Sequence, residues 1–145
     1  IEVYLAGIGA LCNKLDAAGL TNVRVMQHDA LEVLNTMISD GDLAGLHLFF
    51  PDPWPKKRHL KRRLMSEANA KLILRKLETG GVFRVATDWE PYANQIEGVF
   101  ATSEIAAQTS GGRSARPDWR PLTRFEKRGL DEGRKIFDFE FLKTG

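Results

Sequence analysis

The chain has a single cysteine, Cys12, so no internal disulfide can hold it together, and a reducing cytoplasm suits it. Its three histidines, His28, His47 and His59, fall at no spacing typical of metal ligands, and no Ser/His/Asp pattern stands out. No apolar run approaches the roughly 20 residues that a membrane-spanning helix needs. There is no internal repeat and no linker rich enough in Pro, Gly or Ser to divide the 145 residues, so one domain is expected. Net charge is only +2, which excludes nothing by itself. Acids are missing from one place in particular: none occurs from Pro53 to Ser66, whereas six of the eight residues from Lys56 to Arg63 are Lys or Arg.

What is present alternates. Apolar runs of strand length are followed by helical patterns, the signature of βαβ units and a mainly parallel sheet. Ile1–Leu5 and Val23–Met26 read as strands, with Ala6-Gly7-Ile8-Gly9 as the turn into a helix that ends near Gly19 between them. Asp29 is placed to cap a helix with Leu31, Leu34, Met37 and Ile38 on one face. Leu43–Phe50, apolar but for Gly45 and His47, reads as a strand covered on both faces. A long basic helix is expected next, with Leu60, Leu64, Ala68 and Leu72 at four-residue intervals and a stop before Gly80-Gly81. Val82–Ala86 is a further strand; Thr87 or Asp88 then caps a helix with Pro91 in its first turn. Thr109–Pro121 reads as a loop. Phe137, Phe139 and Phe141 alternate with Asp138 and Glu140, the period of a half-buried antiparallel strand. The fold class is therefore α/β, with helices on both faces and an antiparallel strand at the C-terminus.

Ligands of open parallel sheets sit beyond the carboxyl ends of the strands. Glu2, Asp29, Asp52 and Asp88 all fall at such ends. An Asp before a helix is usually a cap, but four in succession point to a shared edge. Phe49-Phe50-Pro51-Asp52-Pro53-Trp54-Pro55-Lys56 is more specific, since three prolines make a stiff loop that continues neither strand nor helix. Such a loop can hold an acid against a planar ring. The cations that follow enter a helix at the end where cations are disfavoured, which points to phosphate as their partner. A second basic stretch, Arg113, Arg116, Arg120, Arg124, Lys127 and Arg128, is interleaved with Trp119 and Phe125, as suits RNA. A dinucleotide fingerprint fails, because Cys12 stands where its third glycine belongs.

These blocks resemble the bacterial tRNA (guanine-N7)-methyltransferases. The resemblance rests on Gly7–Ala10, Arg24–Ala30, Phe49–Lys56, Ala86–Tyr92 and Arg120–Gly129, in the family's order. It implies a class I methyltransferase fold that transfers a methyl group from S-adenosylmethionine to N7 of a guanine in the tRNA variable loop. It also implies roles. Glu2, Asp29 and the Ala30 amide would hold the adenosine part of the cofactor. Asp52 would be catalytic and near the cofactor, and Lys56, Asp88, Thr123, Arg124, Phe125 and Glu126 would contact the substrate. Lys57, Arg58, Lys61, Arg62 and Arg63 would contact RNA. The strand bearing Glu2 corresponds to the family's second, so a first strand with an acidic, Gly-rich loop is expected before Ile1, and residues 1–145 alone are expected to be inactive. Rival readings are a non-catalytic RNA-binding module and an amino-methyltransferase; against the latter, only one proline separates Asp52 from Trp54.

Overall fold

A computed structural model describes residues 1–145 as two compact units, Ile1–Ser39 and Asp40–Gly145. No helix is long and apolar enough to cross a membrane.

The first unit holds helices α1 (Leu5–Ala17) and α2 (Ala30–Thr36). Its two expected strands shrink to one parallel bridge between Glu2 and Gln27, closed by the Glu2 amide donating to the Met26 carbonyl at 3.0 Å. Side chains explain the loss. Glu2 Oε1 accepts from the amides of Val3 and Tyr4, which bends the chain into α1 at once. Gly7-Ile8-Gly9 thus lies inside the helix rather than in a turn before it. Arg24 Nη1 donates to the carbonyls of Thr21 and Val23, occupying acceptors that a strand partner would need. Asp29 caps α2 as expected, accepting from Leu31 and Glu32; Val33 and Leu34 are buried, whereas Met37 is exposed.

The second unit is built on a four-stranded sheet in the order β1-β2-β4-β3: β1 (Leu43–Phe49), β2 (Leu77–Thr87), β3 (Thr109–Ser114) and β4 (Phe137–Lys143). β1 and β2 are parallel, and β4 runs antiparallel to both β2 and β3. The antiparallel C-terminal strand is as expected, but the parallel character expected for most of the sheet is confined to one of three pairings. β4 shows why its phenylalanines alternate: Phe139 and Phe141 face inward with Phe83 and Val85, against helices α3 (Glu67–Lys76) and α4 (Glu90–Phe100). Phe141 stacks on Phe100 with ring centres 3.6 Å apart. Such pairs add about 0.5–1.5 kcal/mol beyond the area they bury. A short helix, α5 (Ser103–Ala106), leads into β3, and α6 (Arg124–Asp131) precedes β4.

Three boundaries differ from the sequence reading. The basic helix is two pieces: a 3₁₀-helix over Lys57–Arg62, and α3, which starts afresh where Ser66 accepts from the Asn69 amide. Gly80-Gly81 does not lie beyond a helix that stops just short of it. It sits in an irregularity of β2, where Leu43 pairs Leu77 but Gly45 pairs Val82. Part of the expected Thr109–Pro121 loop is the edge strand β3. Gly111, at φ +107°, makes that strand possible, because any Cβ there would run into the Glu140 carbonyl.

Candidate functional site

The loop after β1 stays tied to the sheet, since the Phe50 amide donates to the Ala86 carbonyl at 2.8 Å. Phe50 (φ 53°) and Trp54 (φ 41°) both adopt the left-handed region that non-glycine residues enter at a cost. Between them Pro51 and Pro53 offer carbonyls but no N–H, and Asp52 stands exposed at the crest. Arg62 lies over the Trp54 ring at 4.9 Å, and His59 meets that ring edge-on at 5.6 Å. Arg63, expected among the RNA contacts, is engaged inside the fold instead. Its side chain is buried, donates from Nε to the Pro53 carbonyl and from Nη1 to Gln95 Oε1, both at 2.7 Å, and lies over Tyr92 at 5.0 Å. Lys56, Lys57, Arg58, Lys61 and Arg62 remain exposed.

Asp52 and Asp88, at the carboxyl ends of the neighbouring parallel strands, line one cleft of about 330 Å³ together with Phe50, Trp89, Phe125 and Arg128. Phe125 projects from α6 and is 70% exposed. Asp88 is held by Arg134, whose Nε is 3.0 Å from Oδ2 but out of line for a hydrogen bond. α6 comes so close that a Cβ on Gly129 would stand 2.9 Å from the same oxygen, so any larger residue there would have to displace the Asp88 side chain. Thr123 caps α6 by accepting from the Glu126 amide at 3.1 Å, and Arg124 is exposed.

A buried ionic cluster joins α6 to β4. Arg120 (2% exposed) donates from both Nη atoms to Glu126 (1%), at 2.8 and 3.1 Å, and from Nη2 to both oxygens of Asp138 at 3.0 Å. Arg116 adds a bond to Glu126 Oε1 at 2.7 Å. The Arg120 guanidinium also faces the rings of Phe49 and Phe50, at 5.3 and 5.5 Å. Burial pushes the Asp138 carboxyl up, and the Arg120 charge opposes this only in part. Glu126, expected among the substrate contacts, thus has its carboxylate enclosed by two arginines. The second basic stretch likewise divides: Arg113 pairs with Glu97, Arg116 and Arg120 belong to the cluster, and Arg124, Lys127 and Arg128 stay exposed. Charge and spacing alone could not separate these. No signal in the sequence singled out the partners, since Asp118, Asp131 and Glu132 all lie nearer to Arg120 along the chain than Asp138 does.

On the sheet face toward Arg120, His47 stacks on Trp119 with centres 5.2 Å apart, and Arg84 lies over the same indole at 5.5 Å. Partial burial, and then the Arg84 charge, lower the His47 pKa from its ordinary 6.5. A base with a lowered folded pKa stabilises the fold fully above its unfolded value and loses that contribution as pH falls through the folded one. Acidification below about 6.5 should therefore loosen the Trp119 stack. In a Trp54→Phe background, which removes the indole that His59 meets, tryptophan fluorescence should change with pH and stay flat once His47→Gln is added; identical profiles would remove His47 from the effect.

In the first unit Glu2 and Asp29 lie near each other through the Glu2–Gln27 bridge, and both are exposed. Each uses one oxygen on backbone amides, Glu2 Oε1 and Asp29 Oδ1, and keeps the other free.

Comparison with known proteins bears on the family and the fold. The chain is 46% identical over 143 residues to a tRNA (guanine-N(7)-)-methyltransferase of Paracidovorax citrulli, covering 99% of this chain and 57% of that protein. It is 49% identical over 141 residues to one of Chromobacterium violaceum, covering 97% and 62% respectively. The chain thus spans about three fifths of the length of these curated relatives. A solved rRNA methylase from Streptococcus thermophilus superposes with a TM-score of 0.62 at 12% identity, covering 99% of this chain and 71% of that one. A putative methyltransferase from Streptococcus mutans, solved in complex with SAH, gives 0.60 at 12%, covering 98% and 73%. At such identity these two show the fold alone, which is the Rossmann-like sheet of class I methyltransferases. The resemblance read from the motifs therefore holds, and since the family model described as putative methyltransferase matches residues 1–139, the chain belongs to that family.

Proposed function

We propose that this chain carries the guanine-binding and much of the cofactor-binding apparatus of a tRNA (guanine-N7)-methyltransferase. One observation carries the reading: Asp52, Asp88 and the exposed ring of Phe125 share a cleft at the carboxyl ends of two adjacent parallel strands. A purine needs those groups, an apolar face for the ring and carboxylates for its N–H edge.

The residues fit S-adenosylmethionine at its adenosine end. Glu2 and Asp29 each keep a free carboxylate oxygen for hydroxyl or amine donors. The Ala30 amide, first in α2, has no helical partner, because Asp29 caps the amides of Leu31 and Glu32 instead. When bound, the cofactor supplies an electrophilic methyl group on a sulfonium. Guanine N7 has an in-plane lone pair and no proton, so this chain needs no general base at that atom. Asp52 accepts from the guanine N1–H and exocyclic amine and so orients the ring; its charge secondarily stabilises the positive charge that the methylated ring gains. Orientation of this kind supplies several kcal/mol, up to roughly 7–11 in the best intramolecular cases. Thr123 sets the start of α6, from which Phe125 reaches the cleft and Arg124 faces outward, while Lys56 stands at the loop's exit. Glu126 acts indirectly, by holding α6 in place.

Lys57, Arg58, Lys61 and Arg62 face solvent and contact phosphates of the tRNA. Arg58→Glu with Lys61→Glu should flatten the salt dependence of tRNA binding by roughly 0.7–0.9 log units for each phosphate no longer neutralised. An unchanged slope would make the segment an ordinary solvated face. The reading as a whole is tested by incubating the intact protein with tRNA and labelled S-adenosylmethionine and digesting the product. Label in 7-methylguanosine supports it; label on an exocyclic amine, or tRNA binding without transfer, overturns it.

A further inference from the structure

The loop that carries Asp52 cannot hold its own shape. Pro51, Pro53 and Pro55 contribute no N–H, and Phe50 and Trp54 both occupy left-handed conformations, each worth of the order of 1–3 kcal/mol in strain. Such a loop persists only if its surroundings fix it. The carbonyl next to Asp52, that of Pro53, is engaged by one side chain, Arg63. The same guanidinium reaches Gln95 on α4 and lies over Tyr92 on α4. Both of those residues are themselves pinned, Gln95 by donating to the Met65 carbonyl at 2.6 Å and Tyr92 by accepting from the Met65 amide at 3.0 Å. Arg63 is also the residue that ends the 3₁₀-helix, directly after the exposed cations.

We propose that Arg63 is a positioning residue for Asp52, and that through it the placement of the acid depends on the backbone segment that meets RNA. The fork of the guanidinium is what the role requires. A lysine can donate to Pro53 but cannot at the same time reach Gln95 in a fixed plane. A segment that is drawn toward phosphates at Lys57–Arg62 moves, at its end, the donor that holds the Asp52 loop. RNA engagement and orientation of the guanine are thereby linked without any contact between Arg63 and either.

The inference rests on the methyl-transfer reading above. It is tested by steady-state methyl transfer on the intact protein, with Arg63→Gln, Arg63→Lys and Gln95→Leu, each alone and combined with Asp52→Asn. A displacement of about 1 Å at a reacting group costs on the order of a hundredfold, so Arg63→Gln should lower kcat by about 10–100-fold with tRNA KM and salt slope unchanged. Arg63→Lys should recover part of the loss and Gln95→Leu should show part of it. On the Asp52→Asn background Arg63→Gln should cost nothing further, because the group it positions is gone. An undiminished kcat, an equal loss with and without Asp52, or a flattened salt slope would each overturn the proposal, the last by making Arg63 a phosphate contact. If Arg63→Gln does not fold, Gln95→Leu and its double variant with Asp52→Asn carry the same test. A wild-type protein without methyl transfer would overturn the underlying reading instead.

Discussion

Asp52→Asn is expected to lower methyl transfer by about 10²–10³-fold, the loss typical when one preorganised polar group is removed from a reacting centre. The substitution is nearly isosteric, and Asp52 is exposed with no buried partner, so folding should not suffer. What changes is the bonding pattern. A carboxylate offers two acceptors to the N1–H and amine of guanine, whereas an amide turns a donor toward one of them. The negative charge that offsets the positive product ring is lost as well. Affinity for tRNA should hardly move, because phosphate contacts dominate it. Turnover within threefold or so of wild type would remove Asp52 from the reaction, and a parallel loss of tRNA binding would recast it as an anchor.

The second large effect concerns stability. Arg120→Leu should cost about 3–5 kcal/mol, because it leaves the carboxylates of Glu126 and Asp138 buried against one remaining cation, Arg116. For a chain of this size that corresponds to a fall in Tm of roughly 6–20 °C, and it is a large part of the roughly 5–15 kcal/mol that domains have in hand. Neutralising the partners too, with Glu126→Gln and Asp138→Asn, should return much of the loss, since the isolated charges and not the missing attraction do most of the damage. Thermal melts of the single and triple variants decide it. If Arg120→Leu alone melts within a degree or two of wild type, the cluster is not the keystone of the α6 region.

Three strands of the second unit's sheet were legible in the sequence because they carry their own patterns: the mainly apolar run of β1, which is nonetheless part-exposed and not covered on both faces, Val82–Ala86 in β2, and the alternating phenylalanines of β4. β3 was not legible, since Thr-Ser-Gly-Gly-Arg-Ser, with two glycines and no apolar residue, has a weak strand pattern and pairs along the open edge of β4. The Leu60, Leu64, Ala68, Leu72 series suggested one helix, but Arg63 is drawn aside by Pro53 and the turn breaks there. The first unit was misread where side chains took over backbone partners, at Glu2 and Arg24. In the candidate site, the prolines and aromatics around Asp52 marked it as a candidate, and the fold brings it to one cleft with Asp88. The division of the arginines into buried clamps and exposed cations was not, because it depends on which acids and carbonyls the fold brings to Arg63, Arg113, Arg116 and Arg120.

The 3₁₀ geometry of Lys57–Arg62 sets a rule for how this segment can vary in length. With three residues per turn, side chains three apart stack in columns. His59 and Arg62 form the column on Trp54, while Arg58 and Lys61 form another and Lys57 and Leu60 the third. Exchanging one cation for another within a column leaves the arrangement standing. Inserting or deleting a single residue turns everything after it by about 120°, moving a different side chain onto the indole and carrying Arg63 away from the Pro53 carbonyl. The segment should therefore accept many substitutions of like charge but no change of length short of a whole turn.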